Sequence, residues 1–212
     1  MEELPKENTV FDRLAPIFPM IYEAFEHGAT VARVLFDEWG IVPEPHAFAS
    51  ITRLHAIRVL DRRGRELDGY MRTHLTNSGV QLTFAGYDLR FWKTSDGELP
   101  NATSSNAKLR FFRQLPLGLF KRDENEAESP SGRNLVIQWE YSSFSGNIGL
   151  TVVCPKPGDV GVESVEAYWS RPIPHPAETI APVSISPVED ATDDDLTHIQ
   201  PLTAEVESES SG

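Results

Sequence analysis

The sequence predicts an α+β domain in which N-terminal helices precede a mainly antiparallel sheet with one short intervening helix, followed by a disordered C-terminal tail. Three observations support this fold class. Apolar residues recur every three or four positions in the first third of the chain, which is typical of amphipathic helices. From residue 80 onward the apolar period shortens to two, as in half-buried strands. After residue 172 this patterning stops, and Pro, Ser, Thr and acidic residues dominate.

Two helices are predicted in the N-terminal third. The first is expected from Met20 to Trp39, because Gly40 follows as a residue that favours helix termination. The second is expected from Pro45 to Val59, with the proline in the first turn, where a missing backbone N–H is tolerated. The periodicity of the second helix assigns four residues to its inner face: Phe48, Ile51, Leu54 and His55.

The middle of the chain predicts a β-hairpin and the following part predicts three more strands. Two alternating runs, residues 80–84 and 87–93, are separated by Ala85 and Gly86, a two-residue connection of hairpin length. Strand-like runs then recur between residues 134 and 170 with short connections. Because helical crossovers need longer connections, these strands are expected to pair antiparallel. One face of the first of them is expected to hold Leu135, Ile137, Trp139 and Tyr141.

A basic stretch, NAKLRFFRQLPLGLFKR at residues 106–122, predicts the intervening helix. Ser104 or Ser105 would cap its N-terminus. Helical periodicity places Leu109, Phe111, Phe112 and Leu115 on one arc, and it places Arg110, Arg113 and Gln114 on the opposite, solvent-facing side. The phenylalanines are therefore predicted to pack a short helix onto the sheet. Base stacking would instead need exposed aromatic rings beside the arginines.

These elements indicate one α+β domain over residues 10–172 and a disordered acidic tail over residues 173–212. The formal net charge of the chain is −13, but the charge is unevenly distributed. Residues 53–122 carry 13 basic and 6 acidic side chains, whereas residues 174–212 carry 9 acidic and no basic ones. Such segregation affects the choice of partner and the steering of association rather than the fold.

The basic middle of the chain supplies the candidate binding residues. They are expected to contact a protein partner or a nucleic acid, or else to be neutralised within the fold by the acidic first helix and the acidic loop at residues 123–128. The candidates are Arg58, Arg62, Arg63, Arg65, Lys108, Arg110, Arg113, Lys121 and Arg122.

Motifs of catalysis and of cofactor binding do not occur in the sequence. There is neither a nucleophile elbow nor a glycine-rich phosphate loop, and the six histidines do not fall at metal-ligand spacing. Cys154 lies in an apolar run and is predicted to be a buried strand residue. We therefore expect no cofactor, no bound metal and no catalytic residue. An active site dispersed along the sequence would need His46, His55 or His74 to converge with carboxylates.

The sequence favours a non-enzymatic cytoplasmic interaction or regulatory protein that uses a basic surface and an acidic disordered tail, with a protein as its partner. The first alternative is a nucleic-acid-binding regulator whose acidic tail restrains binding, and the second is an enzyme with a dispersed active site. A single cysteine indicates a reducing compartment. No apolar run reaches the roughly 18 residues that a membrane span requires, and the N-terminus lacks the pattern of a secretory signal, so no membrane association is expected.

Overall fold

The described residues form the fold class that the sequence predicts: N-terminal helices followed by a six-stranded, mostly antiparallel sheet. The structure is a computed structural model of the full chain. It describes residues 4–75, 79–94, 98–99, 106–115, 133–143, 145–157 and 165–179. Residues 180–212, which make up most of the predicted tail, lie outside the described residues.

The helical part begins with three α-helices and two short 3-10 turns. Gly40 ends the second helix with a φ of 64°, the left-handed conformation that glycine adopts without strain. The third helix begins where the Glu44 carboxylate accepts a hydrogen bond of 2.7 Å from the backbone N–H of Ala47. No helix among the described residues is long and apolar enough to cross a membrane. The elements are α1 (Glu7–Leu14), a 3-10 turn (Ala15–Ile17), α2 (Phe18–Trp39), α3 (Pro45–Arg63) and a second 3-10 turn (Gly64–Glu66).

The sheet consists of two antiparallel three-stranded meanders joined by one parallel pair. The strands lie in sequence order across the sheet, and β3 pairs with β4 in parallel, with Leu89 opposite Leu135. The β2–β3 hairpin turns at Ala85 and Gly86, both at positive φ, as a two-residue hairpin turn requires. The strands are β1 (Met71–His74), β2 (Val80–Phe84), β3 (Tyr87–Lys93), β4 (Asn134–Tyr141), β5 (Ile148–Pro155) and β6 (Ala167–Pro172); α4 (Asn106–Phe112) lies between β3 and β4, and α5 (Pro176–Thr179) follows β6.

The edge strand β1, like α1 and α5, is not predicted from the sequence. Its sequence, Met-Arg-Thr-His, contains a single apolar side chain, so the alternation of apolar and polar residues that identifies a strand is missing. A tertiary contact holds it instead. The Arg72 side chain is almost fully buried, and its guanidinium forms a bidentate ion pair with the Asp61 carboxylate of α3. Arg72 Nη2 lies 2.8 Å from Asp61 Oδ2.

One face of the sheet packs against α2 and α3 and forms the main core. Phe25 of α2 lies between β3 and β4, with its ring centroid 5.2 Å from those of Phe91 and Trp139. The ring centroids of Phe48 of α3 and Tyr141 of β4 lie 4.6 Å apart. The prediction that alternate residues of β4 share one face is confirmed, because Leu135, Ile137, Trp139 and Tyr141 all contact this core.

The inner face of α3 differs from the predicted one. Phe48 is buried as expected, but Leu54 is 51% exposed, and Ile51 and His55 are only half-buried. Thr52 is fully buried in their place, because its hydroxyl donates a hydrogen bond of 2.9 Å to the Phe48 carbonyl and needs no water. A small residue here lets α3 approach α2 closely at Gly28, which is also buried.

The opposite face of the sheet packs against α4. Phe111 and Phe112 are fully buried and form a second, smaller core with Val136 of β4 and Val153 of β5. The ring centroid of Trp92 lies 5.5 Å from that of Phe111 and 5.4 Å from that of Phe112. The prediction that the phenylalanines anchor a short helix onto the sheet is therefore confirmed.

Gln114, expected to face solvent, is fully buried. Its Nε2 donates to the carbonyls of Asn134 at 2.8 Å and Pro155 at 3.1 Å, and its Oε1 accepts from the Asn134 N–H at 2.9 Å. Asn134 Nδ2 in turn donates to the carbonyls of Phe111 and Leu115. The backbone of Gln114 has a φ of 60°, which ends α4 and turns the side chain inward. We call Gln114 and Asn134 the amide cluster; it joins α4 to the start of β4 and the end of β5.

Beyond residue 172, the predicted end of the domain, the structure describes the chain as far as residue 179. Ile173 is buried, and its N–H donates to the Leu150 carbonyl at 2.8 Å. The Tyr22 hydroxyl donates to the Ile173 carbonyl at 2.8 Å, and His175 Nε2 lies 2.8 Å from Glu26 Oε1. Specific hydrogen bonds to α2 and β5, rather than an apolar period, hold this proline-rich segment, so the sequence pattern does not reveal it.

We predict that Gly28→Ala lowers the free energy of unfolding by about 2 kcal/mol. A Cβ at this position would lie 2.3 Å from the Thr52 carbonyl oxygen, a backbone atom that moves only with α3. Overpacking of this kind costs up to about 3 kcal/mol, against about 1 kcal/mol gained in helix propensity. Urea denaturation measures the difference, and Thr30→Ala, exposed on the same helix, is the control, with an expected change below about 0.5 kcal/mol. If Gly28→Ala were as stable as the wild type, that result would contradict the close approach of α2 and α3 at Gly28.

We predict that Gln114→Ala lowers the free energy of unfolding by about 3 kcal/mol, because buried backbone groups lose their partners. Gln114→Gly loses the same hydrogen bonds but relieves the cost of the left-handed backbone, which is about 1 kcal/mol. Its loss should therefore be about 1 kcal/mol smaller. Arg113→Ala, at the exposed neighbouring position, is the control. If Gln114→Gly is as stable as the wild type, the backbone turn matters and the amide does not.

Candidate functional site

The first group of predicted binding residues lies at the C-terminal end of α3. Arg58, Arg62, Arg63 and Arg65 are all exposed. Arg63 is paired within the fold, because its Nε lies 3.4 Å from Glu23 Oε2 of α2. The other three form neither a hydrogen bond nor an ion pair with any residue that the structure describes. Internal neutralisation, one of the possibilities raised by the sequence, thus applies to one arginine of the four within the described ranges.

An exposed leucine belongs to the same surface. Leu54, Arg58 and Arg62 are four residues apart from one another along α3, so they lie on one face of the helix, and all three are exposed. Arg65 follows in the 3-10 turn after the helix. We call these four residues the α3 surface. Cations in the last turn also stabilise a helix through its dipole, which accounts for part of their placement. The dipole does not account for the exposed leucine.

The second group lies on α4, on the other side of the sheet. Lys108 and Arg110 are half-buried, and each interacts with other residues of the fold. Burial lowers the pKa of Lys108, and the charge of Arg90 lowers it further. Arg113 is exposed. Because α3 and α4 pack on opposite faces of the sheet, the two groups form separate surfaces. The remaining candidates, Lys121 and Arg122, lie outside the described residues, as does the acidic loop at residues 123–128.

The aromatic residues of the basic stretch that the structure describes, Phe111 and Phe112, do not offer a stacking platform for bases. Phe111 and Phe112 have no exposed surface. A cation does lie over one of these rings, because the Arg90 Cζ is 5.0 Å from the Phe111 centroid, but this contact is internal to the fold. The observed positions therefore remove one of the features that would favour binding of single-stranded nucleic acid.

The three histidines on which an enzymatic site would depend do not converge. His46 lies in the first turn of α3 and His55 nine residues later, which is about 14 Å along a helix axis. His74 lies in β1 beside Arg72, with 3.2 Å between His74 Nδ1 and Arg72 Nη2. The described ranges contain no group of three or more His, Cys, Asp or Glu side chains that could hold a metal ion. This arrangement gives no support to a histidine-based active site.

Cys154 is buried in β5, as predicted. Its side chain has no exposed surface, and burial raises the pKa of the thiol to about 12. The reactive form of a cysteine is the thiolate, which this environment disfavours near neutral pH. The position therefore suits a small apolar core residue and not a nucleophile.

A further pair of cations, which are not among the predicted binding residues, lies on the helix-facing side of the sheet. Lys93 ends β3 beside Trp139 of β4, and its Nζ lies 6.0 Å from the Trp139 ring centroid. Nζ donates to the Pro45 carbonyl at 3.3 Å. Burial lowers the pKa of Lys93, and the nearby charge of Arg53 lowers it further. The ammonium is thus held in surroundings that do not favour its charge.

Arg53 of α3 is the other member of this group. It is half-buried, and burial lowers its pKa. Its Nη2 donates to the Ser50 hydroxyl at 3.3 Å, but its Nε is buried and has no hydrogen-bond acceptor among the described residues. No described carboxylate lies within ion-pair distance of Arg53 or Lys93. One signal in the sequence could have identified Lys93, since the alternation of β3 continues from Phe91 to place it on the apolar face.

Comparison with known proteins gives no relative from which function could be transferred. The chain matches no family model, and searches of curated proteins and of solved structures found no match. The residues that bear on function are therefore those of the α3 surface and the pair formed by Arg53 and Lys93.

Proposed function

We propose that this chain is a non-enzymatic cytoplasmic regulatory protein that binds an acidic segment of a protein partner at the α3 surface. The observation that carries the proposal is that Arg58, Arg62 and Arg65 are exposed and have no partner among the described residues. Arg58 and Arg62 also lie in line with the exposed Leu54 on α3. Arginine combined with an apolar side chain is typical of protein interfaces. Nucleic acid would use the arginines but would gain little from the leucine.

The distribution of charge supports an acidic partner. Residues 53–122, which begin within α3, carry 13 basic and 6 acidic side chains in a chain of net charge −13. Arg63 and Arg72 of this segment are paired with carboxylates inside the fold. The arginines of the α3 surface are therefore a local positive site on an acidic molecule. An acidic partner would be attracted there and repelled elsewhere, which favours a single binding orientation.

The compartment and the regulatory role are part of the proposal and rest on the sequence. The chain contains one cysteine, which suits a reducing compartment. Residues 174–212 carry 9 acidic side chains and no basic one, and apolar residues recur among them. Acidic segments with interspersed apolar residues commonly bind partners through short motifs. Such a segment gives the protein a second means of interaction, distinct from the α3 surface.

We predict that Arg58→Glu/Arg62→Glu/Arg65→Glu reduces the amount of specifically captured partner at least tenfold when the protein is used to capture proteins from its native cytosol. The reversed charges would repel an acidic partner. Helix stability should fall by only about 1 kcal/mol, since only the dipole interaction at the helix end is reversed. The matched control is Arg13→Glu/Arg33→Glu, which reverses two exposed arginines elsewhere on the helices. Leu54→Asn should also weaken capture, and it keeps every charge. Retention of the same partners by the triple variant would contradict the proposal.

The alternative of a nucleic-acid-binding regulator restrained by its acidic segment is tested by truncation. We predict that the chain ending at Thr179, like the full chain, binds duplex DNA and RNA more weakly than about 100 µM at low salt. The truncation keeps Ile173 and His175, because both contact α2 or β5. Binding that appears only after truncation, and that weakens steeply with added salt, would support the alternative and contradict our proposal.

A further inference from the structure

We infer that Arg53 and Lys93 form a binding site for a small organic carboxylate, between the N-terminal half of α3 and the ends of β3 and β4. This site is separate from the α3 surface and does not depend on the function proposed for it. Its residues are half-buried, whereas those of the α3 surface are exposed. The two therefore differ in the kind of ligand that they can bind.

The site has more hydrogen-bond donors than acceptors. Lys93 Nζ carries three N–H groups, and the acceptor given to it by the fold is the Pro45 carbonyl. Arg53 Nε is buried and has no partner in the part of the chain that the structure describes. Trp139 is fully buried, and its Nε1 likewise has no acceptor among the described residues, while its ring lies 6.0 Å from Lys93 Nζ. Donors left without acceptors inside a protein are costly, so an acceptor-rich ligand would stabilise this arrangement.

The charges of the site are also unbalanced. Arg53 and Lys93 are close enough that the charge of one lowers the pKa of the other. Glu44 is the acid that counteracts this effect on Lys93, but its carboxylate is engaged in capping α3 through the Ala47 N–H at 2.7 Å. Among the described residues, two cations and one nearby carboxylate leave a net charge of about +1. A half-buried positive charge without a counterion is unfavourable, and an incoming anion would offset it.

A carboxylate fits these properties better than a phosphate does. A net charge of about +1 matches a monoanion and not a dianion. The two oxygens of a carboxylate can accept from a guanidinium and an ammonium at once. The apolar surroundings, formed by Phe48 and Trp139 at 6.0 Å from Lys93 Nζ, suit the hydrocarbon part of an organic acid.

A purely structural role for Lys93 explains less. Its ammonium could serve as a cation over the Phe48 and Trp139 rings, but both distances are 6.0 Å, the outer limit for a cation–π contact. Such contacts also leave Arg53 Nε without an acceptor and do nothing to separate two like charges. The structural role accounts for one side chain, whereas a bound carboxylate accounts for both.

The test is a titration of the full-length protein with sodium acetate, followed by NMR. Sodium chloride at equal ionic strength is the reference. The Trp139 indole N–H signal, assigned with a Trp139→Phe variant, and the Lys93 side-chain signal are expected to shift and to saturate with acetate only. Bound acetate favours the charged ammonium, so the pKa of Lys93 should rise as acetate is added.

Two lysine variants make the test specific. Lys93→Met keeps the apolar stem and removes the charge; it should weaken acetate binding at least tenfold without lowering the thermal midpoint. Lys156→Met, at an exposed lysine that pairs with Glu166, should leave acetate binding unchanged. The inference is overturned if acetate and chloride act alike, if Lys93→Met binds acetate as the wild type does, or if inorganic phosphate binds more tightly than acetate.

Discussion

The parallel pairing of β3 with β4 is the constraint on which the rest of the fold depends. Parallel neighbours begin at the same end of a sheet, so the chain must return across the sheet between Lys93 and Asn134. The helix α4 lies on this connection and covers the face that α2 and α3 leave open. The amide cluster then joins the end of α4 to the first residue of β4 and the last residue of β5. Side-chain hydrogen bonds, together with apolar packing, thus hold the end of this crossover connection in place.

The buried and half-buried cations on the helix-facing side of the sheet differ in whether the fold pairs them with a carboxylate. Arg72 is almost fully buried and is matched by the two oxygens of Asp61. Lys93 and Arg53 lie on the same side, but a backbone carbonyl and a serine hydroxyl are the acceptors that the fold gives them. Pairing with the Asp61 carboxylate makes Arg72 a structural residue that holds the edge strand β1. Near Lys93 the described carboxylate is Glu44, which caps α3 and forms no ion pair with Lys93, so we propose that a ligand supplies the missing acceptor.

Local patterns predict those parts of the fold that local forces determine. The hairpin at Ala85 and Gly86 and the burial of Phe111 follow from turn chemistry and helical periodicity. Gln114 was misplaced, because a left-handed residue at the end of a helix turns its side chain away from the direction that periodicity assigns. The strand β1 and the segment after residue 172 are held by single ion pairs and hydrogen bonds to distant residues, which leave no period in the sequence.

The sequence likewise predicts only part of the candidate site. Charge counting identifies the arginines of α3, but the exposure of Leu54 and the burial of Lys93 depend on how α3 lies against its neighbours. Burial also determines how each cation can act. Exposed arginines act over a distance and are screened within about 8 Å at physiological salt, so they mainly guide and orient a partner. Half-buried cations have already lost part of their hydration, and salt screens them less. The two proposed interactions, long-range attraction at the α3 surface and short-range recognition at Arg53 and Lys93, should therefore be separable by ionic strength, although both involve the same helix.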